Sequence, residues 1–207
     1  MRSEIDGCVR SQHALNEHLA SLSGVASSEP SALPGWTIGH VLSHVARNAD
    51  SHVAMLEGLP QYPNSAARDA DIEAGARRPF DELIADVRQS SLALESAWNS
   101  ALDVADVESR WSQNALALSG SRPLVSLPLL RWREVELHRM DLNAGYRAVD
   151  LDRHYLRCDL RLCEMLWRAR RPIGLTPLPE AVLTTPPHDR LLWFLGRLEI
   201  DGVGWVN

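Results

Sequence analysis

Gly35-Trp36-Thr37-Ile38-Gly39-His40-Val41-Leu42-Ser43-His44-Val45-Ala46-Arg47-Asn48-Ala49-Asp50 is the stretch that decides the fold. Thr37 is a good helix N-cap, because its hydroxyl can accept a bond from a free backbone N–H of the first turn. Ile38, Val41, Leu42, Val45, Ala49, Val53 and Leu56 then recur at helical spacing. The spacing predicts a helix reaching Glu57 or Gly58, broken by Leu59-Pro60-Gln61-Tyr62-Pro63-Asn64. About ninety residues on stands Arg131-Trp132-Arg133-Glu134-Val135-Glu136-Leu137-His138. It also reads as a helix, and both segments set titratable groups into apolar stripes.

The rest of the N-terminal part follows the same period. Ser3 is a candidate cap for a first helix to about Leu22, with Ile5, Val9, Leu15 and Leu19 inward. Residues 66–77 read as a short helix ended by Pro79. Phe80 to Leu102 reads as a long one, with Asp81 and Glu82 suiting the dipole of its first turn. Trp111 to Arg122 is less regular, and Ser119-Gly120-Ser121 suggests a hairpin-like excursion. Pro123 or Pro128 starts a fourth long helix ending near Gly145. The expectation is a mainly α protein: an antiparallel four-helix bundle, whose sites are built from side chains on facing helices. The remainder, 147–207, is expected to be a small, loop-rich C-terminal domain beside a bundle of residues 1–146. In it Asp152 to Arg170 reads as a helix with Leu156, Leu160, Leu162 and Leu166 inside. Pro172, Pro177, Pro179, Pro186 and Pro187 mark a loop-rich connection, and His188 to Leu198 a last helix.

Glu134 and His138 are four residues apart, so on a helix they point the same way. His44 lies among Val41, Leu42 and Val45 and should face the interior. A buried histidine needs a partner, because an unpaired buried polar group costs about 1–3 kcal/mol. Glu134 poses the same problem with a charge. If the helix of His44 packs on the face of Glu134 and His138, two imidazoles and one carboxylate converge. That is a three-ligand metal site with room for water or substrate. The rival arrangement is a buried Glu–His ion pair without metal. His40, one turn before His44, is an alternative ligand or an orienting neighbour, and His52 a lesser candidate. Asn48 and Asp50 are candidates to support the ligands or to cap, and Glu136 is expected to point into solvent. Arg47, Arg133 and Arg197 could each bind a substrate carboxylate, with a surface role as the alternative.

Composition narrows the class. A chain of 207 residues, 45% hydrophobic, can bury a core without disulfides. Cys8, Cys158 and Cys163 are too few and scattered for a disulfide framework and read as small buried hydrophobes. The net charge is -6 and all 21 basic residues are arginine, without a basic stripe, which argues against nucleic acid. The N-terminus lacks a signal-peptide pattern and no run is long enough to span a membrane, so a cytoplasmic protein is expected.

The run from Leu33 to Asp50, the Arg131–Gly145 segment with Arg133-Glu134-Val135-Glu136-Leu137-His138-Arg139-Met140-Asp141-Leu142, and Asp71-Ile72-Glu73-Ala74-Gly75-Ala76 carry a resemblance. Together they resemble the mycothiol-dependent maleylpyruvate isomerase family, within the wider DinB-like group of metal-binding bundles. The resemblance implies a DinB-like four-helix bundle holding a divalent metal, usually zinc, through His, Glu and His. By motif these are His44, Glu134 and His138, and His40 becomes a neighbour. It also implies a smaller C-terminal α/β domain contributing an arginine, for which Arg197 is the candidate catalytic residue. Residues after 146 match that domain only loosely. The implied activity is thiol-dependent isomerisation or S-transfer on a small unsaturated electrophile. The three cysteines lie outside the motifs, so the thiol is expected from a cofactor, mycothiol or a similar thiol. The alternative is a non-catalytic metal- or ligand-binding bundle, a sensor or stress-response protein. Expected partners are the small-molecule substrate and the thiol, with the chain a monomer or homodimer.

Overall fold

A computed structural model describes residues 1–171 and 177–204. The chain divides into two compact units, Met1–Gly145 and Tyr146–Asn207. The first carries α1 (Arg2–Ser21), α2 (Ile38–Leu56), α3 (Ser65–Ala76), α4 (Phe80–Leu102), α5 (Val107–Ser112), the strands β1 (Asn114–Ala117) and β2 (Gly120–Pro123), and α6 (Leu127–Asp141). Its four long helices touch in a closed ring: α1 on α6, α6 on α2, α2 on α4, and α4 on α1. The short α3 lies against α2. Inside the ring, Leu15 and Leu19 of α1, Val41, Leu42 and Val45 of α2, Leu83 and Val87 of α4 and Val135 of α6 form one apolar cluster. Full burial of each such side chain is worth about 1.5–3 kcal/mol. Among the described residues no helix is long and apolar enough to cross a membrane.

The ends of the site-bearing helices are fixed locally. Thr37 caps α2 as its sequence suggests, in a box in which His40 takes the reciprocal role: the Thr37 N–H donates to His40 Nδ1 at 3.1 Å. Helix α6 starts at Leu127 with Pro128 in its first turn, where a missing N–H costs nothing. It stops at Asp141, short of Gly145, because Asn143 adopts a left-handed conformation with φ 53°. The irregular stretch after α5 is an antiparallel hairpin, with Asn114 opposite Pro123 and Ala117 opposite Gly120. One expectation fails at the start: Ser3 lies inside α1 rather than capping it, and the chain's own ammonium pairs with Glu4.

The second unit contains α7 (Arg153–Ala169), α8 (Glu180–Thr184) and α9 (Pro187–Phe194). Its β component, among the described residues, is one bridge between Ile200 and Val203. Asp152 caps α7 by accepting from the N–H groups of His154 and Tyr155. The leucine stripe expected to face inward does not: Leu166 is exposed and Leu156, Leu160 and Leu162 are half-buried. The buried stripe is Tyr155, Asp159, Cys163 and Trp167. The Tyr155 hydroxyl donates to Asp159 at 2.9 Å, which makes a polar pair tolerable inside. Trp167 packs with Leu178, Val182 and Trp193, so large aromatic rings rather than the leucines fill this small core. Of the five prolines, Pro172 lies outside the described residues.

Two predictions test the packing of the first unit. Gly7 faces the fully buried Trp132, and a methyl group there would overlap the indole. Gly7→Ala is expected to cost about 1–3 kcal/mol of stability in urea denaturation, as overpacked cores do. His52 is fully enclosed: burial first, then the charges of Arg131 and Arg122, push its pKa down to about 3, with Glu134 opposing. The unfolded chain binds a proton near pH 6.5 that the folded chain refuses, so stability falls as the pH drops below that value. Between pH 6 and 5 the wild type should lose about 1 kcal/mol more than His52→Gln, read from urea midpoints.

Candidate metal centre

Helix α2 supplies one imidazole and α6 supplies a carboxylate and a second imidazole. His44 Nε2 lies 2.9 Å from Glu134 Oε2, and His138 Nε2 lies 3.1 Å from the same oxygen. The two imidazole rings meet edge to face with centroids 4.7 Å apart. One ligating atom from each of the three residues lies within 4.8 Å of the others. Tetrahedral ligands about 2.1 Å from a zinc ion are roughly 3.4 Å apart. The two imidazole-to-carboxylate spacings, 2.9 and 3.1 Å, are close to that value. The side chains of His44 and His138 are 16% and 11% exposed and that of Glu134 is 30% exposed, so the cluster opens to solvent on one side.

Behind His138, its Nδ1 meets Asp141 Oδ2 at 2.8 Å. That contact decides how the ring can serve. In the chain alone both nitrogens of His138 face carboxylates, and only a doubly protonated ring satisfies both. With Nε2 given to a cation, the same ring stays neutral and donates Nδ1–H to Asp141, the arrangement that orients metal-bound histidines. The electrostatics agree. Burial opposes the charge on Glu134, but hydrogen bonds from His138 and His44 hold its carboxyl well below the usual range. Burial also works against protonation of His138, yet Asp141 and Glu134 raise its pKa. Burial lowers that of His44, with the Glu134 contact acting against it. The cluster is a firmly ionised carboxylate between two histidines, and its donor set fits a divalent cation of the zinc class.

The other candidates are placed elsewhere. His40 Nδ1 accepts from the Thr37 N–H, so its Nε2 carries the proton and donates to Glu73 at 3.0 Å. His52 lies outside the cluster. Asn48 accepts from the buried Arg131 at 2.8 Å, and Asp50 pairs with Arg47. Arg47 also reaches Asp86 at 2.6 Å, so two carboxylates already hold it. Arg133 is half-buried on α6. Arg197 belongs to the second unit, half-buried, its N–H donating to the Leu192 carbonyl at 2.8 Å. Glu136 corrects an expectation: it is 2% exposed, accepting the Ser11 hydroxyl at 2.5 Å and the Trp132 indole N–H at 3.3 Å. Those two donors make a buried carboxylate tolerable there.

Three residues of the site were not singled out from the sequence. Asp141 follows His138 by three residues, a spacing that puts both on one face. Trp36 sets its indole edge-on to His44, with centroids 5.5 Å apart, and 6.0 Å from His40. Arg131, three residues before Glu134, hides in an arginine-rich run that carries no hint of burial.

A helical bundle with a His–Glu–His cluster on facing helices defines the class. Residues 8–143 match the mycothiol maleylpyruvate isomerase N-terminal domain family, and the chain belongs to that family. Its fold is similar to the crystal structure of the mycothiol-dependent maleylpyruvate isomerase, with 23% identity and a TM-score of 0.79 over 95% of this chain and 89% of that one. A histidine-to-alanine mutant of that isomerase matches at 22% identity, with the same TM-score and coverage. No curated protein matches the chain.

The Asp141 contact generates a prediction of its own. Asp141→Ala should weaken zinc binding by about 10–100-fold, the usual loss when such a partner is removed. Competition with a fluorescent chelator would measure it, and an unchanged affinity would show that Asp141 does not orient the ligand.

Proposed function

We propose that this protein is a divalent-metal enzyme of the maleylpyruvate isomerase type, working with mycothiol or a similar small thiol. The convergence of His44, Glu134 and His138 at one solvent-facing point is the observation that carries the reading. Family membership supports the thiol, and likeness in fold to a mycothiol-dependent maleylpyruvate isomerase supports the isomerase chemistry. Zinc is the favoured ion, because two imidazoles and one carboxylate with a free position is a common catalytic zinc set.

Each residue then has a defined task. His44 and His138 are neutral donors, and Glu134 is the single anionic one. Asp141 holds the Nδ1 proton of His138 and so keeps Nε2 available. Trp36 walls one side of His44 and limits water there. When bound, the metal lowers the pKa of a thiol that joins it, making thiolate available near neutral pH. The thiol supplies a nucleophile whose reversible addition to an activated double bond permits rotation about that bond. Arg197 is proposed, from the family resemblance, to hold the substrate's carboxylate. Net isomerisation returns the thiol; arrest after addition makes the enzyme an S-transferase. We place the bundle, residues 1–146, as the metal-binding domain and 147–207 as the part that supplies Arg197.

Elemental analysis of the purified wild type and of His44→Ala tests the reading first. About one divalent ion per chain in the wild type, lost in the variant, is expected of a three-ligand site. Turnover of maleylpyruvate or a related unsaturated acid should then depend on added mycothiol. Arg197→Ala should raise KM for the acid by about 10-fold or more, as loss of a charged hydrogen bond does. A wild type that stays metal-free after zinc reconstitution overturns the reading. Tight metal binding with no thiol-dependent turnover favours the non-catalytic binder instead.

A further inference from the structure

The segment between α1 and α2 is a built wall rather than a slack loop. Ser31 N–H and hydroxyl both donate to the Trp36 carbonyl, at 3.0 and 2.9 Å. The same hydroxyl accepts from the Leu33 N–H at 3.1 Å. Gly35 takes φ 77°, a left-handed turn that presents Trp36 back toward α2. Pro30 bridges to Thr37, and the Ala32 N–H donates to the carbonyl of Asp141 at 2.8 Å. The segment is therefore pinned to the helix whose Glu134 and His138 belong to the cluster.

A cleft of about 430 Å³ opens on this segment, lined by residues between Ser28 and Thr37. That volume lies in the range of pockets that take small ligands, roughly 300–1,000 Å³. Ala32, Leu33, Pro34 and Trp36 give it apolar walls, and no charged side chain is among the lining residues described. Trp36 joins the cleft to the cluster: it lines the one and contacts His44 of the other. A carboxylate-bearing electrophile finds no cation among these lining residues, whereas an uncharged body needs none.

We infer that this cleft binds the uncharged, hydroxylated ring body of the thiol cofactor, with a sugar-like face packed on the Trp36 indole and its sulfur directed to the cluster. The inference rests on the proposed function and adds to it a place for the cofactor. Indole suits the task, since its broad apolar face covers the C–H face of such a ring while the ring hydroxyls stay toward solvent at the open rim. Trp36 is then a specificity-determining residue: it separates a thiol carrying a ring body from a bare one.

The test uses the full chain loaded with cobalt(II), whose sulfur-to-metal absorption band reports thiol binding without turnover. Two probes are titrated: mycothiol, and N-acetylcysteine, which lacks the rings. For Trp36→Ala the mycothiol Kd should rise by about 10-fold or more while that of N-acetylcysteine changes by less than about 2-fold, and Trp36→Phe should stay near the wild type. Equal rises for the two thiols, or no change for either, overturn the inference. Should Trp36→Ala fail to hold cobalt, Trp36→Leu and Trp36→Phe make the same comparison: selective weakening in the leucine variant supports the inference and parallel behaviour overturns it. If the wild type itself takes up no cobalt, the proposed function has failed separately. Equilibrium dialysis of the N-acetylglucosaminyl-inositol body, whose amide keeps it uncharged, against wild type and Trp36→Ala then decides: selective retention by the wild type supports the cleft assignment, and equal retention or none overturns it.

Discussion

The guanidinium of Arg131 lies fully buried and ties three helices at one level. Its Nε donates to Gln12 of α1 at 3.0 Å, and its Nη1 donates to the Val45 carbonyl and to Asn48 of α2 at 2.8 Å each. Arg131 sits on α6 three residues before Glu134, while Val45 and Asn48 follow His44 closely on α2. One side chain thus fixes the rotation and the sliding of α6 against α2, and with them the meeting of His44 with Glu134 and His138. Burying a cation among neutral acceptors is costly, and a buried charge whose partners are removed costs roughly 3–5 kcal/mol. The bundle tolerates that burden at the level where the cluster needs helix register to be set most closely. The same charge reaches further, since Arg131 is among the groups that push both His44 and His52 toward the neutral form.

The helices were legible because their signals are local. Thr37 before an apolar period marks the start of α2, and the span of α4 from Phe80 to Leu102 follows its pattern end to end. The convergence of His44 with Glu134 and His138 was legible only as a condition: spacing puts Glu134 and His138 on one face, but nothing in a single sequence says which face α2 meets. Arg131 settles that question, and it was invisible for a physical reason. Arginine is a surface residue in most contexts, and its burial here depends on acceptors contributed by two other helices.

Glu136 and the α7 stripe failed for a related reason. Reading Glu136 as solvated took charge as a sign of exposure, yet Ser11 and Trp132 satisfy it inside. In α7 the reading followed leucines and passed over Tyr155 and Asp159, which pair with each other and so can both face inward. Periodicity reports apolar side chains; it does not report polar groups that bring their partners with them.

Asp141 links the two halves of the site. Its carboxylate holds His138 Nδ1, and its carbonyl takes the Ala32 N–H of the segment that carries Trp36. The residue stands at the very end of α6, where carbonyls lose their intrahelical partners and are free to accept from outside. Had α6 run on to Gly145, the Asp141 carbonyl would be engaged within the helix and the Trp36 segment would lose that anchor. The left-handed turn at Asn143 is what prevents this. The aromatic wall beside His44 and the orientation of His138 are therefore consequences of one helix terminus. A shift in where α6 ends would disturb both together, through Asp141, whose carboxylate and carbonyl hold one each.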